Sequence, residues 1–166
     1  MLELRELLPS DEERFISFAK RYSAECGAES VPFGLNVADR SFSEFFASLK
    51  ALSCEDTLPA GWVPTRYYLI LRDGEIIGQA NIRYGDSDFI LNFAGHIGYC
   101  IAPWERCKGY ATQALKLALP LAKSLGLDRV ILTCDSDNDA SRKVIVRNGG
   151  VHLHTSTEKE IYRIVL

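Results

Sequence analysis

The chain has 166 residues, 47% of them apolar, with 19 lysines and arginines against 22 aspartates and glutamates, a net charge of −3. That size and apolar content suit one domain with one sizeable core, and the charge balance argues against nucleic acid or an anionic membrane as the main partner. No basic start runs into an apolar stretch and no apolar run reaches about 18 residues, so the expectation is a cytoplasmic protein without signal peptide or membrane span.

In chain order, Leu2-Glu3-Leu4-Arg5-Glu6-Leu7 alternates like a strand, and Ser10-Asp11-Glu12-Glu13 reads as a capping box opening a helix to about Ala24. A second box, Ser41 with Glu44, precedes Phe45, Phe46, Leu49 and Leu52 at helical spacing. Tyr67–Leu71 and Glu75–Arg83 are β-rich runs joined at Asp73-Gly74, a tight-turn pair, and predict an antiparallel hairpin. The polar link 85–88 and the short apolar piece Phe89–Phe93 lead to a strand-like run, His96–Ile101. Tyr110–Ser124 then has helical periodicity ended by Gly126, with Pro120 expected to kink the helix or end it early. Val130-Ile131-Leu132 suits a strand buried on both faces, Asn138–Asn148 a helix stopped by Gly149-Gly150, and Val151–Thr155 and Glu160–Val165 two final strands.

Between the strand ending at Ile101 and the helix starting at Tyr110 lies Arg106-Cys107-Lys108-Gly109-Tyr110-Ala111. A glycine there lets a ligand approach the backbone, and the first helical amides lack internal partners. The helix dipole adds positive potential to that of Arg106 and Lys108. The segment reads as a phosphate cradle for an anionic, pyrophosphate-bearing cofactor.

These residues, with Ile101, the strand Val130–Cys134 and Asn138-Asp139-Ala140-Ser141, resemble the GNAT superfamily of acyl-CoA-dependent N-acetyltransferases. The cradle matches the family's R/Q-x-x-G-x-G/A loop, with Ala111 as the smaller-residue option. The resemblance implies a mixed α/β single domain over 1–166, its coenzyme core at about 95–150. Its twisted, mostly antiparallel sheet would have six or seven strands flanked by about four helices. It also implies acetyl-CoA as acyl donor and a primary amine of a small molecule, amino acid, peptide or protein as acceptor, joined in a ternary complex. The implied coenzyme residues are Tyr99, Cys100, Ile101, Arg106, Cys107, Lys108, Gly109, Tyr110, Ala111, Thr112, Asn138 and Ser141. Pairing of the C-terminal strands would make a homodimer. One position departs from the family: the tyrosine that often serves as acid seven residues after the asparagine is Ile145 here, so that role is not carried over. The competing readings are a non-catalytic acyl-CoA-binding domain, which Ile145 favours, and a nucleic-acid-modifying acetyltransferase, which the net charge disfavours.

His96 and Tyr99 are the candidate catalytic side chains. An imidazole at the start of the strand can take the amine's proton, but His96 and Tyr99 share one cleft only if the strand bulges between them. Asn138 also reads as a helix N-cap with Ser141 in its first turn. Cys107 and Cys134 suggest a covalent acyl-cysteine route less well than direct attack. The five cysteines are odd in number and lack C-x-x-C spacing, and no third ligand joins His152 and His154, so no metal is expected. Glu29, Asp39, Trp62 and Tyr67 are candidates for the acceptor site.

Overall fold

A computed structural model describes residues 1–27 and 41–166. The elements are β1 (Leu2–Glu6), α1 (Glu12–Cys26), α2 (Phe42–Leu52), β2 (Thr65–Arg72), β3 (Glu75–Arg83), β4 (Ile97–Ile101), α3 (Tyr110–Ser124), β5 (Arg129–Asp135), α4 (Asp139–Arg147), β6 (Val151–Thr155) and β7 (Lys159–Val165). The mixed α/β class and the expected elements are present. The strands form two antiparallel sheets, β1-β2-β3-β4 and β5-β7-β6, which meet where β4 lies beside β5.

Local chemistry explains most boundaries. Asp73 and Gly74 both have positive φ, 51° and 86°, as a primed two-residue hairpin turn requires, and β2 pairs with β3 on either side. Ser41 caps α2: its hydroxyl accepts from the Glu44 amide at 3.3 Å, and the Glu44 carboxylate accepts from the Ser41 amide at 2.8 Å. The expected box at Ser10 is replaced by a short 3-10 turn over Pro9–Asp11, and α1 starts two residues later. The cause is Asp11. Its buried carboxylate accepts from both Arg5 nitrogens, from Arg14 and from the Leu8 amide, and these donors hold it far below the usual carboxylate range.

The short apolar piece before β4 carries a π turn over Ile90–Ala94, ended by Gly95 at φ 70°. Of the outcomes expected at Pro120, an early end does not occur: α3 continues to Ser124.

The first sheet is covered on both faces, which is why β2 reads as an almost unbroken apolar run. Tyr67, Leu69 and Leu71 pack with Phe15, Phe18, Phe42 and Phe45 of α1 and α2. Tyr68 and Ile70 join clusters that contain Leu115, Ala118 and Ala114 of α3. No helix among the described residues is long and apolar enough to cross a membrane.

Candidate active site

The site begins with a ladder that stops. The His96 amide donates to the Ile131 carbonyl at 2.7 Å, but β4 and β5 then belong to different sheets. On its other edge, β4 pairs with β3 through Ile101, and the Ala102 amide donates to Ile77. Strand alternation therefore turns the amides of Tyr99 and Ile101 away from β3, toward the diverging β5, where no strand among the described residues pairs with them. The Ile101 carbonyl, aimed the same way, accepts from Arg106 Nε at 3.0 Å.

His96 sits at the base of this divergence and is fully buried. The Ile131 amide donates to its Nδ1 at 2.9 Å, so the proton is on Nε2, which donates to Asp86 Oδ1 at 3.1 Å. Asp86 also accepts from Arg129 at 2.8 Å. Burial lowers the imidazole pKa, against the opposing pull of Asp86. The expected base thus has both ring nitrogens engaged and is not brought to the cleft; it ties the Asp86 loop, β4 and β5 together. Gly95 permits the close approach, since a Cβ there would lie 3.0 Å from the Ile131 carbonyl oxygen.

Bounded by β4, the start of α3 and α4 lies a cleft of about 570 Å³. Its walls bring together Tyr99, Cys100 and Ile101 of β4, Arg106, Cys107, Gly109, Tyr110, Ala111 and Thr112 of the loop and first turn of α3, and Asn138 and Ser141 of α4. Of the predicted coenzyme residues only Lys108 is missing from the walls. Gly109 caps α3 in the left-handed region at φ 80°, after Cys107 at φ 62°, and a Cβ on Gly109 would meet no atom of the described residues within 4 Å. The space above that glycine is open to a ligand. Asn138 caps α4, its side chain accepting from the Ser141 amide at 3.0 Å, while Ser141 Oγ lies 3.0 Å from the Tyr99 hydroxyl across the cleft. Burial raises the Tyr99 hydroxyl to about 12, so it stays protonated.

The expected cationic side chains of the cradle point elsewhere. Arg106 donates to Ile101 O and to the Tyr22 hydroxyl, and Lys108 donates to Trp104 O and to the Glu105 carboxylate. These contacts shape the loop and leave its backbone to face the cleft. Three cations line the cleft without an ion pair among the described residues: Arg106, whose guanidinium is taken up by Ile101 O and the Tyr22 hydroxyl, and Lys143 and Arg147, one turn apart on α4, which have no hydrogen-bond partner there either. Sequence reading passed over the α4 pair, because cations at that spacing look like a solvated helix face.

The other candidates fall away from the cleft or outside the description. Ile145 is fully buried in the core, packed beside Gly150. Burial raises the Cys134 thiol and takes Cys100 to about 12, so neither is a ready thiolate, whereas Cys107 is exposed. His152 and His154 are separated by a register shift in β6, and no group of three metal-ligand side chains occurs among the described residues. Tyr67 is a core ring whose hydroxyl donates to Gln79, and Trp62 is exposed on the loop before β2. Glu29 and Asp39 lie outside the described residues.

A family model described as an acetyltransferase (GNAT) domain matches residues 1–151. The chain belongs to the GNAT acetyltransferase family and is an acyltransferase. Among solved structures it is similar to Mycobacterium smegmatis RimJ in complex with CoA-disulfide, with a TM-score of 0.73 and 18% identity over 99% of this chain and 81% of that one. It is also similar to RimL, a ribosomal L7/L12 alpha-N-protein acetyltransferase bound to coenzyme A, at TM-score 0.70 and 19% identity over 99% and 94%. A third similar structure, the microcin C7 self-immunity acetyltransferase MccE with acetyl-CoA and AMP, has TM-score 0.67 and 17% identity over 99% and 92%. These likenesses concern the fold. No curated protein sequence matches the chain.

Proposed function

We propose that the protein transfers an acetyl group from acetyl-CoA to a primary amine of a small molecule, amino acid, peptide or protein, by direct attack in a ternary complex. The observation that carries this reading is the edge of β4 left unpaired where β5 passes to the other sheet, together with the cleft that β4 lines with the loop at Gly109 and the α4 N-terminus. The amides at the start of α3 would hold the pyrophosphate, and the β4 edge would hold the pantetheine arm. An amide of β4 aimed at the thioester oxygen would stabilise the developing oxyanion by about 3 kcal/mol. The amine nitrogen bonds to the thioester carbon, the C–S bond breaks, and the surplus amine proton passes to solvent.

Tyr99 takes up part of the work left open by Ile145. A hydroxyl near 12 would lose several kcal/mol in giving its proton outright to a thiolate of pKa about 8.5. Its role is therefore to donate a hydrogen bond to the departing sulfur, oriented by Ser141. His96 acts as a positioning residue behind β4. A homodimer through β6, the exposed outer strand of the second sheet, also belongs to this reading.

The decisive experiment follows thiol release from acetyl-CoA with a panel of primary amines; turnover that requires an amine supports the reading, and none with any amine class refutes it. In the same assay Tyr99→Phe should lower kcat roughly tenfold to a hundredfold with little change in KM for acetyl-CoA, the size of one hydrogen bond to developing charge. An unchanged kcat would remove Tyr99 from the mechanism.

A further inference from the structure

The cleft has a charge arrangement that the cradle motif does not account for. Coenzyme A carries, besides its pyrophosphate, a 3′-phosphate monoester, whose charge of about −1.5 to −2 makes it the most anionic group of the molecule. Backbone amides suit a pyrophosphate held close to a helix N-terminus, but a dianionic monoester reaching beyond that turn calls for side-chain cations. Arg106 and Lys108 are engaged with Ile101, Tyr22, Trp104 and Glu105. Lys143 and Arg147 are exposed, line the cleft on the wall facing the cradle, and have no carboxylate partner among the described residues.

Two like charges at i and i+4 on a helix repel, so the pair weakens α4 slightly unless an anion binds between them. Their neighbour shows the contrast: Arg142, on another side of the helix, is satisfied by Glu160, Asp139 and the Ser136 carbonyl. The position along α4 also fits. Ser141, beside Tyr99, marks the reactive end, and Arg147 lies six residues, roughly 9 Å, further along the axis. There Asn148 ties α4 to the first turn of α3 by donating to the Thr112 carbonyl at 3.2 Å. Arg147 is thereby held beside the helix start that forms the cradle.

We propose that Lys143 and Arg147 bind the 3′-phosphate of coenzyme A and so select the complete nucleotide as acyl donor, rather than an acyl-phosphopantetheine carried on a protein. The inference rests on the coenzyme reading above, and its test separates the two. Calorimetric titration would compare coenzyme A with 3′-dephospho-coenzyme A on the wild type and on the double variant Lys143→Gln, Arg147→Gln. The wild type should prefer coenzyme A by roughly tenfold or more, a preference that shrinks as sodium chloride is raised. The double variant should bind both nucleotides with the affinity that the wild type has for the dephospho form. Arg147→Glu should reverse the preference. Both side chains are exposed, so these variants should keep their melting temperatures within a few degrees. Equal weakening of both nucleotides in the double variant, or an undiminished preference, overturns the assignment. A wild type that binds both nucleotides equally well overturns it while leaving the coenzyme reading intact, and one that binds neither removes both.

Discussion

Replacing Gly109 with valine is expected to weaken acetyl-CoA binding by roughly thirtyfold or more while leaving the domain folded. The open space above this residue is what the prediction rests on: no atom of the described residues lies within 4 Å of where a Cβ would stand. A valine would project into the volume through which a pyrophosphate reaches the first amides of α3. Each charge-assisted bond lost there is worth about 1.5–3 kcal/mol. The side chain would also be strained at φ 80°, at a cost of about 1–2 kcal/mol, so loss of affinity must be separated from loss of stability. Gly126→Val provides the separation. That glycine, at the other end of α3, has φ 93°, equally open surroundings and no place in the cleft. Both variants should melt at similar reduced temperatures, and only Gly109→Val should lose coenzyme affinity by calorimetry. Equal affinities in the two variants would mean that the loop is not the phosphate cradle.

What was legible in the sequence is what local chemistry determines. The Asp73-Gly74 turn, the Ser41–Glu44 box and the glycine-marked start of α3 each need a particular residue at a particular backbone conformation, and each stands where the pattern put it. The cleft was legible for the same reason, because Asn138 is both a cap and a wall residue. Direction was not legible. Arg106 and Lys108 read as charge offered to a ligand, yet Tyr22 and Glu105, distant or weakly marked in sequence, turn them back. The Tyr99–Ser141 contact spans 42 positions and has no local signature. Ser10 failed as a cap because Asp11, one residue on, is claimed by Arg5 from the neighbouring strand.

His96, buried behind β4 instead of facing the cleft, yields the prediction with the largest effect on stability. As a buried side chain with two hydrogen bonds between elements, it should cost about 2–4 kcal/mol when replaced by alanine, combining a cavity with an unpaired Ile131 amide. Acid should reproduce part of that loss. The folded pKa lies below the unfolded value of about 6.5, so the unfolded chain takes up the proton first. Stability from this group is fully present above about pH 6.5 and declines as pH falls below it toward the folded value. A proton on Nδ1 would face the Ile131 N–H, donor against donor. Urea melts from pH 7.5 to 5 should therefore show the wild type losing stability faster than His96→Ala. The pH profile of acetyl transfer separates the brace from a base. In a variant still folded at the assay temperature, a brace predicts that the acid limb of kcat keeps its position while the affinity for acetyl-CoA falls, because the β4–β5 opening is no longer fixed at its root. If the acid limb instead disappears and the melts show no difference in slope, His96 is the base and the bracing role is wrong.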